Sequence, residues 1–341
     1  MRLQPQEFSA LDAQSELFDR CRGKRFFLSG GTGFFGKWLL ESFVHINRRL
    51  GLNARLTALS RDPRAFLSRH PGFGAEPSLS FVPGDVRNFT FPTGTFDFII
   101  HAATEASAKL ERENPAEMHS VIVDGTRRVL EFAAHAGASR LMMTSSGAVY
   151  GTQPPELSQL DENYTGRATT SYGKGKQVAE AMCAEAGTHH GFVTLLPRCF
   201  AFVGPYLPLD THFAIGNFIR DCLEDHPIVI QGDGTPLRSY LYAADLAEWL
   251  WTILLRGEHA RPYNVGSSEA ISILDLALKV RACAATHNPI TVLRSADPSL
   301  PPARYVPSIT RAAKELGLHP RCALDEAIAR TLAWHRAAQI P

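Results

Sequence analysis

The chain has 341 residues, 45% of them hydrophobic and 20% charged, which is the composition of a soluble globular protein with a large core. Its 35 lysines and arginines nearly balance 34 aspartates and glutamates. The resulting charge of +1 gives no electrostatic basis for nucleic acid or an anionic membrane as a main partner. Disordered and collagen-like chains are excluded as well, and we interpret the chain as an enzyme.

The six cysteines are scattered, with no C-x-x-C pair or zinc spacing, so we expect reduced thiols, a cytoplasmic protein and no bound metal. Residues 1–22 are interpreted as an N-terminal extension with a helix at 14–21, and they lack the apolar core of a signal peptide. No run approaches the roughly 20 apolar residues of a membrane span. The stretch 246–255 predicts a buried amphipathic helix.

Between residues 24 and 196, short apolar runs alternate with helical patterns. The runs predict strands at 25–28, 55–59, 80–82, 96–100, 141–144 and 193–196. The segments 37–50, 115–136 and 172–187 carry apolar residues at helical spacing. Near-continuous apolar strands separated by helices indicate a doubly wound α/β domain over residues 23–196, with a parallel sheet covered on both faces.

After Pro197, frequent prolines punctuate shorter elements. We expect residues 197–341 to form mainly a smaller, irregular substrate-binding domain. A segment near 238–262 is expected to return to the main sheet.

The first predicted strand runs into Gly30-Gly31-Thr32-Gly33-Phe34-Phe35-Gly36, and a helical pattern follows. Glycine lets the backbone approach a ligand closely, and a helix N-terminus supplies N–H groups and positive potential. A strand, a glycine-rich turn and a helix in this order predict a site for the pyrophosphate of a dinucleotide.

The choice between NAD and NADP depends on the end of the second strand. Ser60 and Arg61 suit the 2′-phosphate of NADP, whereas the nearby Asp62 suits the ribose hydroxyls of NAD. We expect NAD or NADP, with a slight preference for NADP. Asp85 and Val86, after the third strand, are expected near the adenine.

Tyr172 and Lys176 are four residues apart in a helical pattern, which places them on one helix face. A lysine ammonium near a phenol favours the phenolate, so Tyr172 is predicted to exchange a proton with a substrate hydroxyl. Ser146 follows a predicted strand at the ligand side of the sheet, where its hydroxyl can steady an oxyanion. These residues form the predicted catalytic set.

Further short motifs accompany this set: His101-Ala102-Ala103, Gly125-Thr126, Val149-Tyr150-Gly151, Gly204-Pro205, Gly232-Asp233-Gly234, Arg238 and Tyr263-Asn264-Val265-Gly266. With the glycine loop and Tyr172-x-x-x-Lys176, the chain resembles an extended short-chain dehydrogenase/reductase of the NAD-dependent epimerase/dehydratase family, which modifies nucleotide-activated sugars. The resemblance implies a Rossmann fold, a retained nicotinamide cofactor and a nucleotide-diphosphate sugar as substrate. It also implies a homodimer formed through helices 115–136 and 172–187, with Arg238 holding the substrate diphosphate.

The resemblance and the motifs give two sets of expected binding residues. The cofactor set is Gly30, Thr32, Gly33, Phe34, Phe35, Gly36, Ser60, Arg61, Asp85, Val86, Ala102, Ala103, Thr104 and Lys176. The substrate set is Glu105, Ser107, Ser146, Gly147, Tyr172, His212 and Arg238.

Departures from the family pattern bear on the reaction. Sugar 4,6-dehydratases and uronate decarboxylases of the family carry an acidic residue shortly after the hydroxyl that matches Ser146, whereas this chain has Gly147 and Ala148. We therefore predict a nucleotide-sugar 4-epimerase that works by transient oxidation at C4. A dehydratase or decarboxylase using Glu105, and a 4-keto-sugar reductase, stay open as alternatives. A non-catalytic NAD(P)-binding sensor is disfavoured by the intact Ser146, Tyr172 and Lys176.

Overall fold

The computed structural model describes residues 2–104, 108–211 and 213–339. Two compact units are present. Unit 1 is formed by Met1–Val149, Ala168–Arg198 and Ala247–Tyr263, and unit 2 by Tyr150–Arg167, Cys199–Leu246 and Asn264–Pro341. Residues 150–167, which the sequence analysis placed in the first domain, group with unit 2. The returning segment is 247–263 instead of 238–262, because 238–246 also group with unit 2.

The described strands are, in chain order, β1 (Arg25–Ser29), β2 (Arg55–Ser60), β3 (Leu79–Pro83), β4 (Phe98–His101), β5 (Arg140–Met143), β6 (Ser145–Ser146), β7 (Val193–Cys199), β8 (Phe202–Val203), β9 (Ile228–Ile230), β10 (Leu237–Arg238), β11 (Leu241–Tyr242), β12 (Pro262–Val265), β13 (Ile271–Ser272), β14 (Ile290–Val292) and β15 (Arg304–Tyr305).

The described α-helices are α1 (Ser9–Asp12), α2 (Phe34–Arg49), α3 (Pro63–Arg69), α4 (Pro71–Gly74), α5 (Ala108–Glu113), α6 (Pro115–Ala136), α7 (Ser171–His190), α8 (Ala214–Leu223), α9 (Ala243–Arg256), α10 (Ile273–Ala284), α11 (Thr310–Leu316) and α12 (Leu324–Gln339). Short 3-10 helices occupy Pro5–Phe8, Ser15–Cys21 and Gly147–Tyr150.

The main sheet has the order β12-β7-β5-β4-β1-β2-β3, and β6 pairs with β7. From β3 across to β7 the neighbouring strands are parallel. The central strand β4 is buried at every residue and β1 at all but its first, which explains the continuous apolar runs in the sequence. The predicted strands, helices and doubly wound Rossmann-like fold are confirmed.

The strand order reverses between β1 and β4, so the connections on either side run in opposite directions. In open α/β sheets, ligands bind at the carboxyl ends of the strands at such a switch point. A buried cluster of aromatic rings, including Phe27, Phe89, Phe96 and Phe132, packs on one face of the sheet beneath α6. This core fixes β1 and β4, from whose ends the candidate site is built.

The N-terminal segment packs onto unit 1. Its 3-10 helix at Ser15–Cys21 stands where the sequence predicted a helix at 14–21. The Phe18 ring lies 6.1 Å from that of Trp251 in α9. The Arg2 guanidinium donates a 2.6 Å hydrogen bond to Glu41 of α2, whose side chain is 3% exposed. Residues 2–22 are thus an integral part of unit 1.

Unit 2 is built from short pieces of sheet and a small helical layer. β8 pairs with β11, β9 with β14, and β10 lies between β13 and β15. Helices α8, α10 and α12 pack against one another. Across the described ranges of both units, no helix combines the length and the apolar character needed to cross a membrane.

Candidate active site

Two positions, one in the turn between β1 and α2 and one in the first turn of α2, accept only glycine. Gly30 has a φ of +80°, and a Cβ there would lie 2.5 Å from the carbonyl carbon of Ala102, just after β4. A Cβ on Gly36 would overlap the carbonyl oxygen of Gly30. The absence of these side chains lets the turn lie directly against the end of β4, at the switch point of the sheet.

Gly33 is a different kind of position. Its φ is −79°, it is exposed, and a Cβ would meet nothing nearer than the Gly30 oxygen at 3.5 Å. Gly33 is the N-cap of α2 and, as a glycine, contributes no side-chain cap to this helix end. Thr32, Phe34 and Phe35 are half-buried beside it. A helix N-terminus without a side-chain cap, approached over glycine, fits the pyrophosphate of a dinucleotide.

A directional chain of hydrogen bonds lies beneath this turn. The Ala103 N–H approaches the Ser29 hydroxyl (3.4 Å), which lies 2.7 Å from Nδ1 of His101. His101 Nε2 lies 3.2 Å from Oγ1 of Thr126. The Thr126 hydroxyl donates to the Ile122 carbonyl (2.7 Å), so Nε2 must donate and Nδ1 must accept. Burial lowers the pKa of His101 to about 3, and the neutral imidazole therefore joins β1, β4 and α6.

The end of β2 carries the residues that bear on cofactor choice. Ser60 is buried and Arg61 is exposed. The Asp62 carboxylate accepts a 2.9 Å hydrogen bond from the N–H of Ala65 and is the N-cap of α3. The carboxylate that argued for NAD therefore has a structural role in capping a helix.

Asp85 and Val86, expected near the adenine, are both held by protein contacts. The Asp85 carboxylate accepts hydrogen bonds of 2.8–2.9 Å from the guanidinium and backbone N–H of Arg87, which lower the pKa of Asp85. Val86 is buried, and a Cβ on Gly125 of α6 would lie 2.9 Å from it. A role of Asp85 and Val86 at the adenine stays a prediction.

Tyr172 and Lys176 come together as their spacing predicts. The ammonium nitrogen of Lys176 lies 5.9 Å from the centre of the Tyr172 ring, and the lysine is 2% exposed. It donates to Oγ1 of Thr104 (2.8 Å) and to the carbonyl of Thr144 (2.6 Å). Burial keeps the solvent screening weak, so the positive charge favours the ionised phenol.

Ser146 lies in β6, directly after β5, and is buried. Its hydroxyl oxygen accepts a 3.1 Å hydrogen bond from the N–H of Ala148. The neighbouring Ser145 hydroxyl donates to Glu180 (2.5 Å), which is also paired with Arg198 (2.7 Å). The serine segment is therefore anchored to α7, the helix that carries Tyr172 and Lys176.

The N-terminus of α7 is closed by side chains. The Glu111 carboxylate of α5 accepts from the N–H groups of Ser171 (2.7 Å) and Tyr172 (2.9 Å). The N-cap residue Thr170 accepts from the N–H of Gly173 (3.0 Å). Sequence analysis missed Glu111, for which no local pattern exists. It also missed Glu180, although this residue follows Lys176 by four positions and therefore shares its helix face.

Arg238 lies in β10 of unit 2, where it is half-buried and donates to the carbonyl of Leu237 (2.9 Å). The Ser239 hydroxyl is buried and has no hydrogen-bond partner among the described residues. Burial raises the pKa of the Tyr240 phenol.

Glu105, Ser107 and His212, which were predicted to contact the substrate, lie outside the described residues. Gly147 begins a 3-10 helix directly after Ser146. Among the residues that the structure describes, no cluster of histidine, cysteine, aspartate or glutamate side chains is arranged to hold a metal.

Relatives and solved structures share this fold. UDP-glucuronic acid decarboxylase 1 of Arabidopsis thaliana is 30% identical over 319 residues, covering 90% of this chain and 68% of the relative. The NAD-bound dTDP-glucose 4,6-dehydratase DesIV of Streptomyces venezuelae superposes with a TM-score of 0.79 at 21% identity, covering 92% and 97% of the two chains. UDP-N-acetylglucosamine 4-epimerase of Methanobrevibacter ruminantium M1 superposes at 0.81 with 17% identity, covering 93% and 100%.

A family model adds the sequence evidence to this likeness of fold. It is described as the NAD dependent epimerase/dehydratase family and matches residues 26–266. That range contains the glycine turn, the Ser146 segment, the Tyr172 and Lys176 pair and Arg238. The chain belongs to the NAD-dependent epimerase/dehydratase family.

Proposed function

We propose that the protein is a nucleotide-sugar 4-epimerase. The observation that carries the proposal is the arrangement of Tyr172 and Lys176, with Ser146 followed by residues that bear no carboxylate. Tyr172, held next to the buried ammonium of Lys176, takes the proton from the sugar 4-hydroxyl and later returns it. Ser146 donates a hydrogen bond to the C4 oxygen as that oxygen gains charge.

The turn from Gly30 to Gly36 would hold the pyrophosphate of a nicotinamide dinucleotide, and Lys176 would hold its nicotinamide ribose. The cofactor supplies reversible hydride exchange with the sugar carbon that bears the hydroxyl. Arg238 binds the substrate diphosphate through its planar guanidinium.

The lack of a usable carboxylate beside Ser146 among the described residues argues against a dehydratase. Elimination of water from C5 and C6 requires a proton acceptor at C5, and Gly147 and Ala148 offer none. Glu180 approaches the serine segment, but its oxygens are bound by Ser145 and Arg198. A carboxylate held in this way serves as a structural acceptor, and it is not a mobile acid or base.

A decarboxylase is the second candidate, favoured by the relatives that are named UDP-glucuronic acid decarboxylases. Once C4 of a uronic acid is a ketone, its C6 carboxylate can leave as carbon dioxide without a base. The electron pair of the broken bond moves to the C4 oxygen, which Ser146 and Tyr172 would stabilise as an enolate. The enolate must then take a proton at C5, and Glu105, which lies outside the described residues, is the candidate donor.

Product mass distinguishes these reactions. The purified protein is incubated with UDP-glucose, UDP-N-acetylglucosamine and UDP-glucuronic acid, each with NAD or NADP. An isomer of unchanged mass supports the epimerase, whereas loss of carbon dioxide supports the decarboxylase and loss of water contradicts both. Tyr172→Phe should lower the rate by about 10²–10⁴-fold. Cofactor binding without turnover of any sugar would favour the sensor.

We further propose a slight preference for NADP. Arg61 lies directly after β2, and the carboxylate of Asp62 is engaged as a helix cap. Lys37 lies in the first turn of α2. Burial, together with the positive charge of Arg69 in α3, lowers the pKa of Lys37 to about 8. These cations suit a 2′-phosphate. Titration with both dinucleotides is the test: equal affinity or a preference for NAD refutes the proposal, and Arg61→Asp should shift the preference toward NAD.

A cytoplasmic homodimer completes the proposal. Helices α6 and α7 pack side by side, and Val178 on α7 is 40% exposed. None of the six cysteines, all within the described ranges, forms a disulfide, in keeping with a reducing compartment. Light scattering in solution tests the dimer, and a monomer at micromolar concentration would contradict it.

A further inference from the structure

The helix that carries Tyr172 is held at two points by one connection of the chain. That connection runs from the end of β4 to the start of α6, and it contains both Thr104 and Glu111. Thr104 accepts a hydrogen bond from Lys176, one turn after Tyr172. Glu111 accepts two from the backbone at Ser171 and Tyr172. Tyr172 is therefore bound directly at one of these attachments and lies one turn before the other.

The hydrogen bonds at this helix end account for its exposed donors. The first N–H groups of a helix have no partner within it. Here the N–H groups of Ser171 and Tyr172 donate to Glu111, that of Gly173 donates to Thr170, and Lys174 makes the first intrahelical bond, to the Thr170 carbonyl. A carboxylate bound through both oxygens fixes the direction of the first turn more firmly than a hydroxyl cap does.

The same carboxylate also sets the charge around the tyrosine. The N-terminus of a helix carries partial positive charge, which stabilises nearby anions. Glu111 neutralises that charge at the residue whose phenol must ionise. Glu111 therefore opposes ionisation of the Tyr172 phenol, which the ammonium of Lys176 favours.

We propose that Glu111 is a positioning residue that orients Tyr172 and sets the pH at which its phenol ionises. The inference rests on the proposed role of Tyr172 as proton acceptor, and it identifies a residue from outside the catalytic helix as a determinant of that role. Glu111 itself bonds to the backbone and takes no part in proton transfer with the substrate.

The decisive measurement is the titration of Tyr172 without substrate. Phenolate absorbance in the near ultraviolet is recorded against pH for the unmodified protein and for Glu111→Gln, and the signal of the matching Tyr172→Phe protein is subtracted from each. Loss of the negative charge should move the phenol titration to lower pH by about 0.2–0.7 units. Glu113→Gln, which changes a more exposed glutamate of the same short helix, should leave the titration unchanged.

A titration of Tyr172 at the same pH in Glu111→Gln as in the unmodified protein would overturn the proposal. So would an equal shift in Glu113→Gln, because a general charge effect would then be the cause. If Glu111→Gln does not fold, Glu111→Asp serves instead, since its shorter carboxylate should move the titration in the same direction by less.

Hydrogen exchange and kinetics test whether Glu111 orients Tyr172. Glu111→Ala should speed amide exchange in a peptide covering residues 170–174, and should lower kcat more than it raises KM. Unchanged exchange would contradict the cap. Because titration and exchange need no turnover, they can fail while Tyr172→Phe still abolishes the reaction, or succeed where no sugar is converted. Failure of the inference and failure of the proposed function are therefore distinguishable.

Discussion

The N-termini of α2 and α7 both belong to unit 1 and to the candidate site, but they differ in how they are capped. The N-cap of α2 is Gly33, which has no side chain with which to cap the helix. The N-terminus of α7 is covered by Thr170 and by the carboxylate of Glu111. Both ends carry the same partial positive charge.

The difference shows that the partial positive charge of a helix N-terminus can serve two purposes. At α2 the N-cap is a glycine, and we propose that the helix N-terminus with its positive potential binds a phosphate that the glycines let approach closely. At α7 the carboxylate of Glu111 is the anion. It neutralises the partial positive charge of the helix end and fixes the first turn, which carries Tyr172. A helix end can therefore bind a ligand or hold a side chain, and the residues at its first turn decide which.

The largest effect is expected at the uncapped helix end. Gly33→Val should weaken NAD or NADP binding by roughly 100-fold or more, because the side chain would stand where the pyrophosphate meets the N–H groups. The fold should survive, since Gly33 has a negative φ and a Cβ would be 3.5 Å from its nearest neighbour. Calorimetric titration measures the affinity. Gly74→Val is the matched control, being exposed with the same 3.5 Å clearance. Unaltered affinity in Gly33→Val would show that the phosphate binds elsewhere.

The stability contributed by His101, in the chain of hydrogen bonds beneath the turn between β1 and α2, should decrease in acid. His101 has a pKa of about 3 in the folded protein, against about 6.5 for an ordinary histidine, so the unfolded chain binds more protons between these values. Its contribution to stability is therefore lost as pH falls below about 6.5. Relative to His101→Gln, the protein should lose on the order of 2 kcal/mol of unfolding free energy between pH 7 and pH 5. Urea unfolding at both values measures this, and a difference independent of pH would be the contrary result.

Arg238 is proposed to bind a phosphate by a side chain, in contrast to the helix end of α2. Arg238→Ala should weaken binding of the nucleotide sugar by about tenfold or more and leave the dinucleotide affinity nearly intact. Fluorescence titration with each ligand separates the two effects. Equal sugar-nucleotide affinity in both proteins would mean that the arginine has a structural role.

The smallest effect is expected at the capped helix end. Thr170→Ala should lower the free energy of unfolding by about 1 kcal/mol, because the N–H of Gly173 loses its acceptor while Glu111 keeps the other two donors. Ser272→Ala, which removes the N-cap of α10, is the control for loss of a cap elsewhere. Cofactor affinity should not change in either protein. Its loss in Thr170→Ala alone would mean that the end of α7 also binds the ligand.

Sequence patterns predicted what depends on neighbours along the chain. The apolar runs gave the strands of the sheet, the glycine spacing identified the turn, and the interval of four residues brought Tyr172 to Lys176. Contacts between distant residues could not be read in this way. Glu111 meets α7 sixty residues later, and the assignment of residues 150–167 to unit 2 depends on Leu160 exchanging backbone hydrogen bonds with Val306 and Ser308.

The return of the chain to unit 1 at residues 247–263 has a consequence for how the protein is made. The Arg140 guanidinium at the start of β5 donates to the carbonyls of Leu254 and Gly257, which follow it by more than a hundred residues. A ribosome must add all of unit 2's middle segment before these residues emerge. Unit 1 therefore cannot complete its packing until α9 has been made, and the apolar surface that Trp251 covers at Phe26 and Phe43 stays exposed until then.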